Sequence, residues 1–72
     1  MLFKFNVFGK LMSVRKVANE WQLFNESETG MRTRVYDVVV PQDLLEEELA
    51  TYLDDIYHEY ASEKHPYVVR VK

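Results

Sequence analysis

The stretch DLLEEELATYLDDIYHEYA, residues 43–61, decides how this chain folds. Asp43 stands where a helix N-cap is expected, and Glu46 three residues on completes an Asp-x-x-Glu variant of the capping box. Glu47 and Glu48 add negative charge near the positive end of the helix dipole. Leu45, Leu49, Tyr52, Leu53, Ile56 and Tyr60 then recur with helical spacing and form one apolar face. Glu48, Thr51, Asp55 and Glu59 line the other side. The spacing predicts one long helix that lays its stripe on whatever the preceding residues build. His65-Pro66 stops it from continuing.

The preceding residues alternate with the period of strands. Phe3, Phe5 and Val7 are separated by Lys4 and Asn6, and Gly9-Lys10 then suits the two central positions of a II′ hairpin turn. That turn sets Phe8 opposite Leu11, Val7 opposite Met12, Asn6 opposite Ser13 and Phe5 opposite Val14. A second reversal at Ala18-Asn19 sets Val14 opposite Leu23, Lys16 opposite Trp21 and Ser13 opposite Phe24. Strands are expected near 2–8, 11–17 and 20–25, with Phe3, Phe5, Val7, Met12, Val14, Trp21 and Leu23 on the core face. The polar ESETG, residues 26–30, is a loop. The β-branched MRTRVYDVVV, residues 31–40, is expected as a fourth strand, with Tyr36, Val38 and Val40 on one face and Val35, Asp37 and Val39 on the other. YVVRV, residues 67–71, is a candidate last strand. The expected fold is α+β, one domain over residues 1–72: an antiparallel β-meander of three to four strands packed on one long C-terminal helix, then a short final strand. If that strand returned parallel, its crossover would be right-handed.

Seventy-two residues make a core close to the lower limit for independent stability, and 47% apolar residues with ten aromatics argue for a folded globule. Without cysteine, neither a disulfide nor a thiolate zinc site supplements that core. Lys4, Asn6 and Gly9 interrupt the apolar N-terminus, so neither a signal peptide nor a membrane span of about 20 residues is read there; a cytoplasmic protein is the default. The net charge of −3 divides into +2 over residues 1–42 and −5 over residues 43–72. This acidity sits mainly on the helix and disfavours nucleic acid as the main partner.

Chemistry is sparse. Asp54 and His58 are four residues apart and Asp55 and His58 three apart, so a carboxylate and an imidazole can share an ion on one helix face, with Glu59 beside them. A closed zinc site needs four ligands, and the remaining histidine, His65, lies beyond the helix. No metal or cofactor is therefore assigned, no enzyme is expected, and a metal-dependent or catalytic subunit built on Asp54, Asp55 and His58 is the alternative. Arg32, Arg34 and Tyr36 form a basic-aromatic segment that can hold phosphates, but the stronger reading is two exposed arginines countering Glu26, Glu28 or the acidic helix. Tyr52 and Tyr60 read as core residues with hydroxyls at the rim, and Tyr57 as half exposed.

One helix covers one face of a sheet. With Phe5 and Val7 toward the helix, the register turns Phe8, Leu11 and Phe24 away from it and into contact. Leu2 and Val17 share their parity, and Val35 and Val39 can join them. Phe8, Leu11 and Phe24 are accordingly the expected partner-binding residues of a small protein-binding or regulatory module. Its apolar sheet face self-associates, as a twofold homodimer in the simplest version, or takes another protein.

With KFNVFG at 4–9, RVYDVVVP at 34–41 and YLDDIYHEYA at 52–61 in view, the chain resembles short uncharacterised bacterial proteins of a domain-of-unknown-function type. The resemblance spans nearly the whole chain. It implies a bacterial, cytoplasmic protein and brings neither an activity nor site residues.

Overall fold

Two reversals built from left-handed residues set the register of the sheet. The computed structural model describes residues 2–27 and 29–71. In it Phe8 and Gly9 have φ of 52° and 92°, and Ala18 and Asn19 have φ of 49° and 65°. Positive φ at both central positions is the signature of a type I′ turn, whose twist matches that of the strands it joins. The second reversal lies where the sequence placed it, and β2 (Lys10–Val17) and β3 (Glu20–Glu26) pair Val14 with Leu23, Lys16 with Trp21 and Ser13 with Phe24, as expected.

The first reversal is one residue earlier than expected. Phe8-Gly9 rather than Gly9-Lys10 takes the central positions, so β1 (Leu2–Val7) pairs Phe3 with Val14, Phe5 with Met12 and Val7 with Lys10. Every β1–β2 pairing therefore slides by two residues, and a slide of two preserves which face each side chain takes. The core face survives the correction. Asn6 Oδ1 holds the turn by accepting the Gly9 N–H at 2.7 Å. A Cβ there would also lie 2.9 Å from the His65 ring, which would have to shift to admit it.

The fourth strand is shorter than its β-branched composition predicts. β4 is only Arg32–Arg34, extended by one bond from the Val35 N–H to the Leu23 carbonyl at 2.8 Å. The chain then leaves the sheet edge to reach the helix, and the expected alternation over 35–40 fails with it. Val35 and Val40 are buried and Val38 packs against the core, whereas Tyr36 and Val39 are largely exposed.

The helical segment consists of a 3₁₀ turn at Glu46–Glu48, the helix α1 (Leu49–Tyr57) and a 3₁₀ turn at His58–Tyr60. Its cap position falls at Leu45 rather than Asp43, and the Glu48 carboxylate accepts the Leu45 N–H at 2.9 Å. The later start has a cause: residues 41–44 form a turn, Leu44 N–H to Pro41 carbonyl, and the Leu44 carbonyl accepts the Trp21 indole N–H at 3.0 Å. Leu49 and Leu53 are fully buried, with Tyr52, Ile56 and Tyr57 against the core. The ends of the expected stripe, Leu45 and Tyr60, are exposed, and Leu44 and Tyr57 pack in their stead. A 3₁₀ turn advances side chains further per residue than an α-helix, which rotates both ends out of the stripe.

The last strand, β5 (Val68–Arg70), lies antiparallel to β1, pairing Val7 with Val68 and Phe5 with Arg70. The right-handed crossover rule therefore does not arise. The sheet order is β4-β3-β2-β1-β5, an α+β architecture with the helical segment on one face. All seven side chains expected on the core face are buried, joined by Phe8, Val35, Val40, Leu49 and Leu53. Among the described residues, no helix is long and apolar enough to cross a membrane.

Left-handed backbone costs a non-glycine residue about 1–2 kcal/mol, least for Asn and nothing for Gly. Replacing Ala18-Asn19 by Asn-Gly is therefore expected to stabilise the domain by about 1 kcal/mol, read as a higher urea midpoint with an unchanged slope.

Candidate functional site

Among the described residues, no other element covers the face of the sheet turned from the helix, and its side chains follow from the register. Ser13, Phe24 and Arg34 form one cross-strand row, with Leu11 and Arg15 on either side of Ser13 along β2. The Phe24 ring is flanked by three guanidinium groups, with Arg15, Arg32 and Arg34 at 5.7, 5.9 and 6.0 Å from its centroid. Arg34 also stands 5.2 Å from the exposed Tyr36 ring. Cation–π contacts of this length let arginine stems cover an aromatic ring while their charges stay near water.

Beside Phe24 lies a carboxylate that the face itself neutralises. The Glu26 side chain is 7% exposed, accepts the Ser13 hydroxyl at 2.5 Å and is ion-paired with Arg32 Nε. Ser13 is fully buried. The Arg32 hydrogen bond, with Ser13 second, holds the Glu26 carboxyl below its ordinary value of 4.5, against the opposing effect of burial. Arg34 is paired with Glu20 at 3.3 Å, while its Nε is buried without an acceptor. Both expected arginines thus have carboxylate partners; Glu28, the other counter-charge considered, lies outside the described residues. Arg15 faces Phe24 and has no ion pair among the described residues.

The structure keeps two of the three expected contact residues together. Leu11 is 40% exposed and Phe24 partly exposed on the open face. Phe8 is not there: it is 9% exposed, belongs to the core cluster, and packs edge-on against His58 at 6.3 Å on the helix side. The cause is the shifted turn, since a residue inside a two-residue loop has left the ladder and its alternation. Leu11 consequently faces Asn6 across the strands. Val35 is also buried on the core side rather than in the patch. What the sequence reading missed is Arg15 and the Ser13–Glu26 pair, although the β2–β3 register already placed Arg15 beside Ser13 and diagonal to Phe24.

Of the two candidate helix carboxylates, Asp54 is engaged elsewhere. Asp54 Oδ2 accepts the Val68 N–H at 3.2 Å and so ties β5 to α1, while Asp54 Oδ1 lies 3.4 Å from His58 Nδ1. Asp55 is exposed on the outer helix face. Among the described residues, no group of three or more His, Cys, Asp or Glu is placed to hold a metal ion.

Two outcomes follow from these pairs. The stabilisation from Glu26 is fully present above its unfolded value and is lost as pH falls through the lowered folded one. Glu26→Gln should therefore be less stable than wild type at neutral pH, with the gap narrowing below about pH 4.5; urea midpoints at both ends of that range measure it, and a constant gap contradicts it. Asp54→Ala should cost about 1 kcal/mol and reduce hydrogen-exchange protection at Val68, whereas His58→Ala should stay within about 0.5 kcal/mol of wild type.

No curated protein and no solved structure matches the chain. A family profile does, over residues 2–72, and with that coverage the chain belongs to the family described as a domain of unknown function, DUF7661.

Proposed function

We propose that this chain is a protein-contact module whose open sheet face takes an acidic, apolar segment of another protein. The observation that carries this reading is the surface around Phe24: an aromatic ring set among three guanidinium groups, on a face over which no helix packs among the described residues. Leu11 and Val17 on β2, with Val69 on β5, add exposed apolar area to the same face. Lys4, Arg15, Arg32 and Arg34 outnumber Glu20 and Glu26 there, and Arg15 has no carboxylate partner among the described residues. Burying a few hundred Å² of apolar surface, at about 25 cal/mol per Å², supplies several kcal/mol before association costs. Opposite charge adds association rate and fixes orientation.

The same charges bear on self-association. Two sheets stacked about a twofold axis would bring the guanidinium groups of one copy towards those of the other. The sign therefore favours a different, acidic partner over a homodimer through this face. A second copy concentrates its acidic charge on the helical segment, and a head-to-tail contact of that kind does not close on itself.

A peptide alternating leucine and glutamate, titrated against the isolated protein, should shift the amide resonances of Leu11, Arg15 and Phe24 and bind more weakly as salt rises. Its leucine–lysine counterpart should not bind, and Arg15→Glu should weaken the acidic peptide by about tenfold, the scale of one desolvated charge contact. Equal binding of both peptides would remove the basis of the proposal. A salt-resistant dimer by light scattering, dissociated by Leu11→Ser, would replace it with self-pairing.

A further inference from the structure

On the other side of the sheet, between the first hairpin and the end of the helix, lies a pocket of about 310 Å³. Its floor is apolar, from Val7, Met12 and Val35, and Tyr57 and Tyr60 form a wall with ring centroids 6.2 Å apart. Two opposite charges line it, Lys10 from the start of β2 and Asp37 from the segment that leaves β4. Neither forms an ion pair with the other or with any described residue. Asn25 completes the lining, and its amide oxygen is shut off from water without a donor. Buried polar atoms are rarely left so, and a turn of the amide toward a bound N–H would satisfy it.

We propose that this pocket binds a small apolar zwitterion of the size of a free amino acid. Asp37 receives the ammonium group, Lys10 the carboxylate, and the apolar floor the side chain. The volume lies at the small end of ligand pockets, where an apolar lining with a few convergent polar groups is the usual construction. Burial, with the Asp37 carboxylate as the second cause, raises the Tyr57 hydroxyl above its ordinary value. A ligand with a single charge would leave Lys10 or Asp37 without a counter-ion; a zwitterion answers both. The site shares none of the contact residues proposed for the open sheet face, so neither reading depends on the other.

The test is an NMR titration of the whole chain with leucine and phenylalanine, set against leucinamide, which lacks the carboxylate, and 4-methylpentanoate, which lacks the ammonium. An amino acid should saturate shifts at Asn25, Asp37 and Tyr57 with a dissociation constant of about 1 mM or below, within reach of a molecule of this size. The two truncated probes should bind at least about tenfold more weakly, the scale of one lost charge contact. Lys10→Met should weaken leucine and leave leucinamide unchanged, and Asp37→Asn should weaken leucine and leave 4-methylpentanoate unchanged. Both substituted positions are exposed, so the fold is expected to survive, and the unchanged probe reports that it has. No saturable shift from either amino acid overturns the proposal. Equal affinity for all probes, or shifts confined to the open sheet face, overturns it as well.

Discussion

Leu49 and Leu53 reach zero solvent exposure against the sheet, at the centre of a lid made by the helical segment with Val35, Val38, Val40 and Leu44 beside it. Few other buried contacts are available to a domain of this size, so the surrounding structure serves that seating. Phe5, Val14 and Leu23, each almost wholly buried, form the bed beneath the two leucines in the same core cluster. The Trp21 indole bond to the Leu44 carbonyl anchors the approach to the helix. Asp54, through the Val68 N–H, anchors the far end to β5, and Arg70 joins β5 back to Glu46 at 2.9 Å while its guanidinium stands 4.6 Å from the Phe3 ring centroid. The polar bonds at the margin hold the helix in place, and the leucines supply the burial.

A single lid leaves the opposite face to water, and that face meets the problem with charge. Glu26 lies almost out of solvent in a setting that Ser13 and Arg32 make tolerable, because each of its strong contacts comes from a donor. The guanidinium stems shield Phe24 from solvent without enclosing it. The result is a sheet surface that is wettable yet adhesive. An edge-to-edge or face-to-face encounter with another copy meets like charge first, a common way in which natural sheets avoid aggregation.

How much of this was legible in the sequence depends on whether a residue sits inside a repeating element. Within the ladders, parity alone places Phe3, Phe5, Val7, Met12, Val14, Trp21 and Leu23 correctly, and it does so even though the first turn is misplaced by one residue. Parity says nothing about Phe8, because a residue in a two-residue turn belongs to no ladder; burial of its ring accompanies a backbone angle that its side chain disfavours. The helix interior is legible and its ends are not, since a 3₁₀ turn follows a different angular step. Residues 36–40 carry strong β propensity, yet tertiary demands draw the chain off the sheet edge to reach the helix. The pocket was hidden for a further reason. Asn25, Asp37 and Tyr57 come from a strand, a connection and a helix, and no local spacing joins them.

The pairing of β5 with β1 bears on how a nascent chain is made. Strand β1 leaves the ribosome about sixty residues ahead of Val68–Arg70, which complete its outer edge. At about 5–20 residues per second, that edge stays open on the order of seconds, exposing an apolar hexapeptide whose single cation is Lys4. Lys4, whose ammonium also adds to the charge of the open face, occupies the place in this strand where a guard against premature pairing would act.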